Sequence, residues 1–458
     1  MAAMRNSLLE MLAAGAAGLA LSGCSRGPGG DSDLLWVVFD TTRADHLSCY
    51  GYERETTPVV DGLAARGLRM ENAFAHSSLT PISAASFLTG CLPAAHEVRS
   101  LFMVGQERLS VDTPTLFERL QNEGFSTGGF VSAPPMGSRY GFDRGYDRFD
   151  DRIDKRSVAR GGGNAFQRRA DDTTLAALEW IREVAPNAAK PMATFVHFFD
   201  AHDASLVPPR KRLGEWMTTP VPADLDRRGH WRELKAPLHR IELYDAELRF
   251  QDDQVARLLD ELEEHGRLEN TLICFLADHG EGLGDHDFWT HGLLYQEQLH
   301  VPWILAGPGV PSGATLEARV RLTDVMPTLA ELIGIERRDW ESGSVDGESV
   351  LPLLEAVPEI PRGIYAEVRH APGDSLGRDS ELFTGTLGNW KLIHSPGGED
   401  QLFDLVTDPS ETRNVGEEEP ETVRALVEWM NAEMRALPRE LTEFSPETTE
   451  MLRELGYL

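Results

Sequence analysis

Leu34-Leu35-Trp36-Val37-Val38-Phe39-Asp40 is an unbroken apolar run closed by a carboxylate. A strand with one wet face would alternate apolar and polar residues. This run does not, so it reads as a strand buried on both faces, the signature of a parallel sheet. Three further runs share the pattern. Thr271–Ala277 ends at Asp278-His279, Met192–Val196 leads into His197, and Val301–Leu305 follows His300. Between them, Leu116–Gly124, Thr173–Val184, Ile241–His265 and Asp324–Ile333 place apolar residues at three- and four-residue spacing, which predicts helices. Alternating strands and helices predict an α/β fold with a large, mainly parallel sheet flanked by helices. From about Arg362 the pattern changes to short β-like runs at Gly363–Ala366, Leu382–Gly385 and Trp390–Ile393, followed by a helix over Pro420–Leu437. That predicts a smaller antiparallel α+β subdomain. The expected organisation is a leader and tether over 1–33, a large domain over 34–355, and a C-terminal subdomain over 356–458. Asp203–His239 and Arg156–Gly163 read as loops.

The chain has 458 residues, 41% of them hydrophobic, enough for a large core. Its 74 acidic residues against 44 basic ones give a net charge of −30, which repels nucleic acid and anionic membrane surfaces. No nucleic-acid partner is expected. At the N-terminus, Arg5 precedes an apolar stretch from Met11 to Leu21, far short of the roughly 20 residues a membrane-spanning helix needs. Leu21-Ser22-Gly23-Cys24 resembles a bacterial lipobox. That resemblance implies an exported lipoprotein held to a membrane by a lipid on Cys24, on the periplasmic or cell-envelope side. Ser25–Asp33 then reads as a tether. Of Cys49, Cys91 and Cys274, an odd number, at least one must be unpaired; Cys274 sits in a strand pattern and reads as core.

Asp40 and Asp278-His279 follow directly on apolar strands, and ligands of open α/β sheets bind at the carboxyl ends of strands. Carboxylates placed there are costly unless they meet a partner or a cation. Two Asp and a His make an oxygen-rich set suited to Ca²⁺, Mn²⁺, Mg²⁺ or Zn²⁺. The other reading has Asp278 capping a helix and His279 satisfied in the core. Thr80-Pro81 before an Ala/Ser/Leu run predicts a helix start, with Thr80 as N-cap and Pro81 in the first turn. A sulfate or phosphate drawn to that N-terminus would meet the Thr80 hydroxyl. Without such a ligand it is a cap and nothing more.

Thr80-Pro81-Ile82-Ser83-Ala84-Ala85-Ser86-Phe87-Leu88-Thr89-Gly90 resembles the nucleophile segment of the sulfatase family, Cys-x-Pro-Ser-Arg-Ala-Ser-Leu-Leu-Thr-Gly. Asp40–Tyr52, Asp278-His279-Gly280-Glu281-Gly282-Leu283-Gly284, Trp289-Thr290-His291-Gly292, Tyr244–Glu247, Asp324–Leu329 and Leu402–Leu405 resemble further motifs of that family, in the family's order. The resemblance implies an alkaline phosphatase-like fold over nearly the whole mature chain. It implies one divalent cation on Asp40, Asp278, His279 and Thr80, with Thr80 also the nucleophile. It implies that His291 protonates the leaving oxygen and that His202 assists. The sequence departs from the family at four places. Thr80 stands where the family has a Cys or Ser that becomes formylglycine, so no formylglycine is expected. Ile82 replaces a Pro, Ala84 replaces a cationic residue, and Ala201 with Ala204-Ser205 replaces commoner Pro and Pro-Tyr. Arg43 and Arg99 are candidates to supply the missing charge. The expected function is metal-dependent hydrolysis of a sulfate or phosphate-type ester on a glycan, lipid or small molecule. The alternatives are a phosphodiester or phosphoglycerol transferase-like enzyme and a catalytically degenerate anion-binding relative.

Overall fold

The computed structural model describes residues 32–101, 108–153, 167–202, 206–221, 237–335, 345–355, 362–369 and 381–434. Cys24 and the expected leader, the run at Arg156–Gly163, and the final turns of the helix expected to reach Leu437 lie outside them. Eight strands form one sheet: β1 (Asp33–Phe39), β2 (Leu68–Phe74), β3 (Ser126–Val131), β4 (Arg148–Asp150), β5 (Met192–Phe198), β6 (Thr271–Ala277), β7 (His300–Ala306) and β8 (Ala314–Arg321). Their order is β4-β3-β5-β1-β6-β7-β2-β8. Every neighbour pairing is parallel except those of β7 with β6 and β2. The expected mainly parallel sheet is therefore present, with one reversed strand.

β1 is buried along its whole length. Leu34, Trp36 and Val38 enter one apolar cluster, while Leu35, Val37 and Phe39 enter a second. Successive side chains of a strand point to opposite faces, so a run apolar at every position requires a packed layer on each side. β6 divides in the same way, Leu272, Cys274 and Leu276 against Ile273 and Phe275. The helices Thr80–Thr89, Leu116–Asn122 and Val325–Ile333 cover the Trp36 face. Pro58–Arg66, Ala170–Val184 and Pro237–Glu264 cover the other.

β9 (Ile364–Arg369), β10 (Glu381–Leu387), β11 (Trp390–His394) and β12 (Gln401–Asp404) form a second, antiparallel sheet in the order β12-β11-β10-β9. Leu426 and Met430 of the helix Pro420–Glu433 pack on one face of it, against Tyr365, Phe383 and Leu392. The other face sends Ile364, Ala366, Val368, Ile393 and Phe403 into the large sheet's Trp36-side cluster. The two sheets thus share a core, and the Glu367 N–H donates to the His76 carbonyl across the seam at 2.9 Å.

Four details differ from the sequence reading. Asp33, expected in the tether, opens β1 and is buried against Arg267 at 2.7 Å. Thr80 is the first helical residue; the cap position falls to the extended Leu79, which lends no side-chain bond. Within Asp203–His239, Arg210–Trp216 is helical, and the long helix begins at Pro237. β3 gave no apolar signal because Gly128 and Gly129 occupy its middle. A Cβ on Gly128 would stand 2.7 Å from the Trp180 ring, and one on Gly129 the same distance from Phe149. The space a side chain would fill is taken by these rings.

Candidate active site

Asp40 follows β1 immediately, and Asp278-His279 follow β6. Because β1 and β6 pair in parallel, both carboxylates leave the sheet at the same end. β5 adds His197 from the other side of β1. One ligand atom each from Asp40, His197 and Asp278 lie within 4.8 Å of one another, all buried, in an arrangement that could hold a metal ion. His197 Nε2 is 3.0 Å from Asp40 Oδ2. His279 stands beside the trio, its Nε2 3.4 Å from Asp278 Oδ2 and 3.9 Å from Asp40 Oδ1.

Thr80 reaches this cluster from the N-terminus of its helix. Its Oγ1 is 3.1 Å from Asp40 Oδ2 and 3.3 Å from His279 Nε2. His279 Nδ1 faces the Gly280 carbonyl at 2.9 Å, and the tautomer that carries its proton there turns an accepting Nε2 toward Thr80. The hydroxyl therefore faces two acceptors. Ser83, one turn along, donates to the Asp278 carbonyl at 2.6 Å and ties the helix to the end of β6.

The loops are held as firmly as the side chains. Thr41 lies in the left-handed region at φ 50°, costly for a β-branched residue. Its N–H donates to Asp278 Oδ1 at 3.1 Å, and its carbonyl accepts from the Tyr244 hydroxyl at 2.8 Å. A Cβ at Gly280 would collide with the Glu297 carbonyl, which is why the turn after His279 requires glycine.

Burial sets the electrostatics. Asp40 is pushed up to about 7 by desolvation, which the His279 and Thr80 contacts offset only in part. Asp278 rises to about 6 by burial and by repulsion from Asp40. Burial lowers His197 to about 4. Among the described residues, Asp40 Oδ1 and Asp278 Oδ2 find no hydrogen-bond partner. Two buried carboxylates with bare oxygens, two imidazoles and an alcohol form a donor set that fits a divalent cation.

His291 and His202 come to the same place. The His291 ring centroid is 4.7 Å from those of both His279 and His202, and His202 stacks on Phe199 at 4.0 Å. His291 Nδ1 lies 3.4 Å from Glu281 Oε2. All six residues singled out from sequence, Asp40, Thr80, His202, Asp278, His279 and His291, thus converge and are buried. His197, Glu281, Ser83 and Tyr244 were not assigned to this site. His197 carried a readable signal, a polar residue directly after the apolar run Met192–Val196, one position before the end of β5. Ser83, Glu281 and Tyr244 stand in the motif segments quoted above, but their contacts with Asp278, His291 and Thr41 are decided by the fold.

The two arginines considered as substitutes for the charge absent at Ala84 are engaged elsewhere. Arg43 pairs with Asp45 at 2.7 Å and Asp285 at 2.8 Å, and donates to the Gly282 carbonyl at 3.2 Å. Arg99 is committed to Glu367. Ala84 and Ile82 lie in the apolar cluster beneath the helix, fully buried.

The sulfatase family model matches residues 32–335, which carry this whole cluster. The chain belongs to the sulfatase family. Among curated sulfatase relatives it is 34% identical to a choline-sulfatase of Rhizobium meliloti over 180 residues, 38% of this chain. That match spans 32% of the relative, and the chain covers about a third of several such relatives. A Δ4,5-hexuronate-2-O-sulfatase of Bacteroides thetaiotaomicron is 24% identical over 440 residues, 88% of each chain. In fold, this sulfatase-family chain resembles the phosphonate monoester hydrolase of Agrobacterium radiobacter, with a TM-score of 0.71 and 21% identity over 88% of this chain and 95% of that one.

Proposed function

We propose that this sulfatase-family chain hydrolyses sulfate or phosphate-type esters with Thr80 as nucleophile. The observation that carries the reading is the Thr80 hydroxyl, first in its helix and facing the acceptors Asp40 Oδ2 and His279 Nε2. A free alcohol is a poor nucleophile near neutral pH and needs such activation. A divalent cation on Asp40, Asp278, His279 and Thr80, with His197 alongside, would supply Lewis-acid charge stabilisation. The positive end of the helix dipole at Thr80 attracts the anionic group of the ester. Thr80 gives its proton toward Asp40, its Oγ forms the new bond to sulfur or phosphorus, and the ester oxygen departs. His291 donates a proton to that oxygen, held by Glu281, and His202 flanks the departing group. Water then attacks the sulfur or phosphorus and gives a proton back to His291, the bond to Oγ breaks, and Oγ recovers its proton from Asp40 as the inorganic anion or monoester leaves. That second step favours phosphorus: a phosphothreonine can be opened by in-line water, whereas a threonine sulfate lacks the elimination an aldehyde hydrate provides. Sulfatase and phosphonate hydrolase relatives are both compatible with this substrate range.

A second reading, a relative that binds an anionic ester without turnover, is favoured by Ala84, which lies in the apolar core where the family places a cation. Turnover of aryl sulfate, aryl phosphate and bis-aryl phosphate, each with Ca²⁺, Mn²⁺, Mg²⁺ and Zn²⁺, separates the two. Failure of all three by folded, metal-loaded protein would leave only the binding reading. The lipobox-like Leu21–Cys24 supports a lipid anchor on the envelope side of a bacterial membrane as part of this reading; Cys24→Ala should release the protein into the soluble fraction, and continued membrane association would count against the anchor.

A further inference from the structure

Beside the catalytic end of the large sheet, a cleft of about 430 Å³ opens between β2, β8 and the turn joining β10 to β11. Its volume is that of a small-molecule site. Phe74, the last residue of β2, and Gln296, just before β7, both line it. The strand order puts the cleft two to three strands from β6, about 10–14 Å to the side at the usual strand spacing.

Arg319 is the notable group in its wall. The guanidinium donates to the Gly388 carbonyl at 3.1 Å and the Arg362 carbonyl at 3.5 Å. Among the described residues no carboxylate stands within ion-pair distance of it. Burial penalises its charge and lowers its proton affinity. The neighbouring Arg362 is neutralised by Asp324 at 2.7 Å and Glu348 at 3.3 Å. Glu317 also lines the cleft but is exposed, so water screens its charge. The local balance therefore favours an anion. The rest of the wall offers the amides of Asn72, Gln296 and Asn389 beside the Phe74 ring. Amides suit hydroxyl groups, and an aromatic edge suits the apolar face of a sugar ring.

We propose that this cleft binds the carboxylate or sulfate group of an acidic sugar, at a site separate from the Thr80 cluster. Glucuronate tests it, because it carries no sulfate or phosphate ester for the catalytic residues to act on. Calorimetric titration of the full chain should show glucuronate binding and much weaker binding of neutral glucose. Arg319→Gln should weaken glucuronate binding at least tenfold. Because Arg319 also supports two carbonyls, a second variant guards against a folding defect. Val406→Trp, at the exposed rim, keeps the fold and should obstruct the cleft with the same loss. Undiminished glucuronate affinity in both variants, equal affinity for glucose, or no binding by folded wild-type protein would each overturn the proposal. The titration needs no turnover, so a chain that hydrolyses no ester leaves this result standing.

Discussion

Two groups of buried carboxylates in this molecule have opposite fates. Glu367, in the middle of β9, is fully buried yet held down to about 2. Arg99 donates to both its oxygens, Arg369 Nε reaches Oε1 at 3.0 Å, and the Tyr365 hydroxyl donates to Oε2. Asp40 and Asp278, equally buried, rise to about 7 and about 6, with no guanidinium against them among the described residues. Burial is the same in both places, so burial alone does not mark a site. What differs is compensation: the fold supplies cations at the seam between the sheets and withholds them at the strand ends, where one from outside can be taken up.

The sharpest way to break this comparison is at Thr80. Thr80→Ala should cut ester turnover by at least about 10³-fold, the scale of losing a nucleophile, while leaving the melting temperature nearly unchanged and weakening, without abolishing, cation binding, since Asp40, Asp278 and His279 remain. Retained turnover would remove Thr80 from the chemistry. At the compensated site, Arg99→Ala should cost about 3–5 kcal/mol in chemical denaturation, because it strips the main partner from a buried charge. A cost near zero would show that Arg369 and Tyr365 suffice.

The metal-free protein gives the third test. Folded Asp40 and Asp278 hold protons more tightly than they would unfolded, so this contribution is fully present below about pH 4 and is lost as pH rises toward 7. Chelated protein should therefore lose stability steadily across that window, and saturating divalent cation should flatten the dependence. A flat profile without cation would mean that the carboxylates are neutralised by another route. The smallest effect is expected from Ser83→Ala, which removes the bond to the Asp278 carbonyl. It should cost about 1 kcal/mol in stability. A loss of turnover out of proportion to that would give Ser83 a part in placing Thr80.

Half of the large sheet was legible because burial on both faces leaves apolar runs in β1, β5, β6 and β7, whereas β2, β4 and β8 carry no such run. β3 escaped because the Trp180 and Phe149 rings fill the space its own side chains would have taken. The reversed direction of β7 was illegible, since an apolar run carries no arrow. At the site, Asp40 and Asp278-His279 announced themselves by interrupting apolar runs, and Thr80 by its place before proline. Glu281 and Tyr244 have no such contrast. Their roles arise from the fold, as when Tyr244, in the long helix, closes on the Thr41 carbonyl.

The sequence by itself determined a sheet packed on both faces, with carboxylates and an imidazole at its strand ends, because apolar surface must be covered and charge cannot be buried without cause. Tertiary structure alone decided which charges meet. It sent Arg43 to Asp45 and Asp285 and Arg99 to Glu367, placed Ala84 in the core, and left Asp40 and Asp278 facing each other beside Thr80. Attraction between charges acts over a few ångströms in space, and nothing in the order of residues along the chain sets that distance.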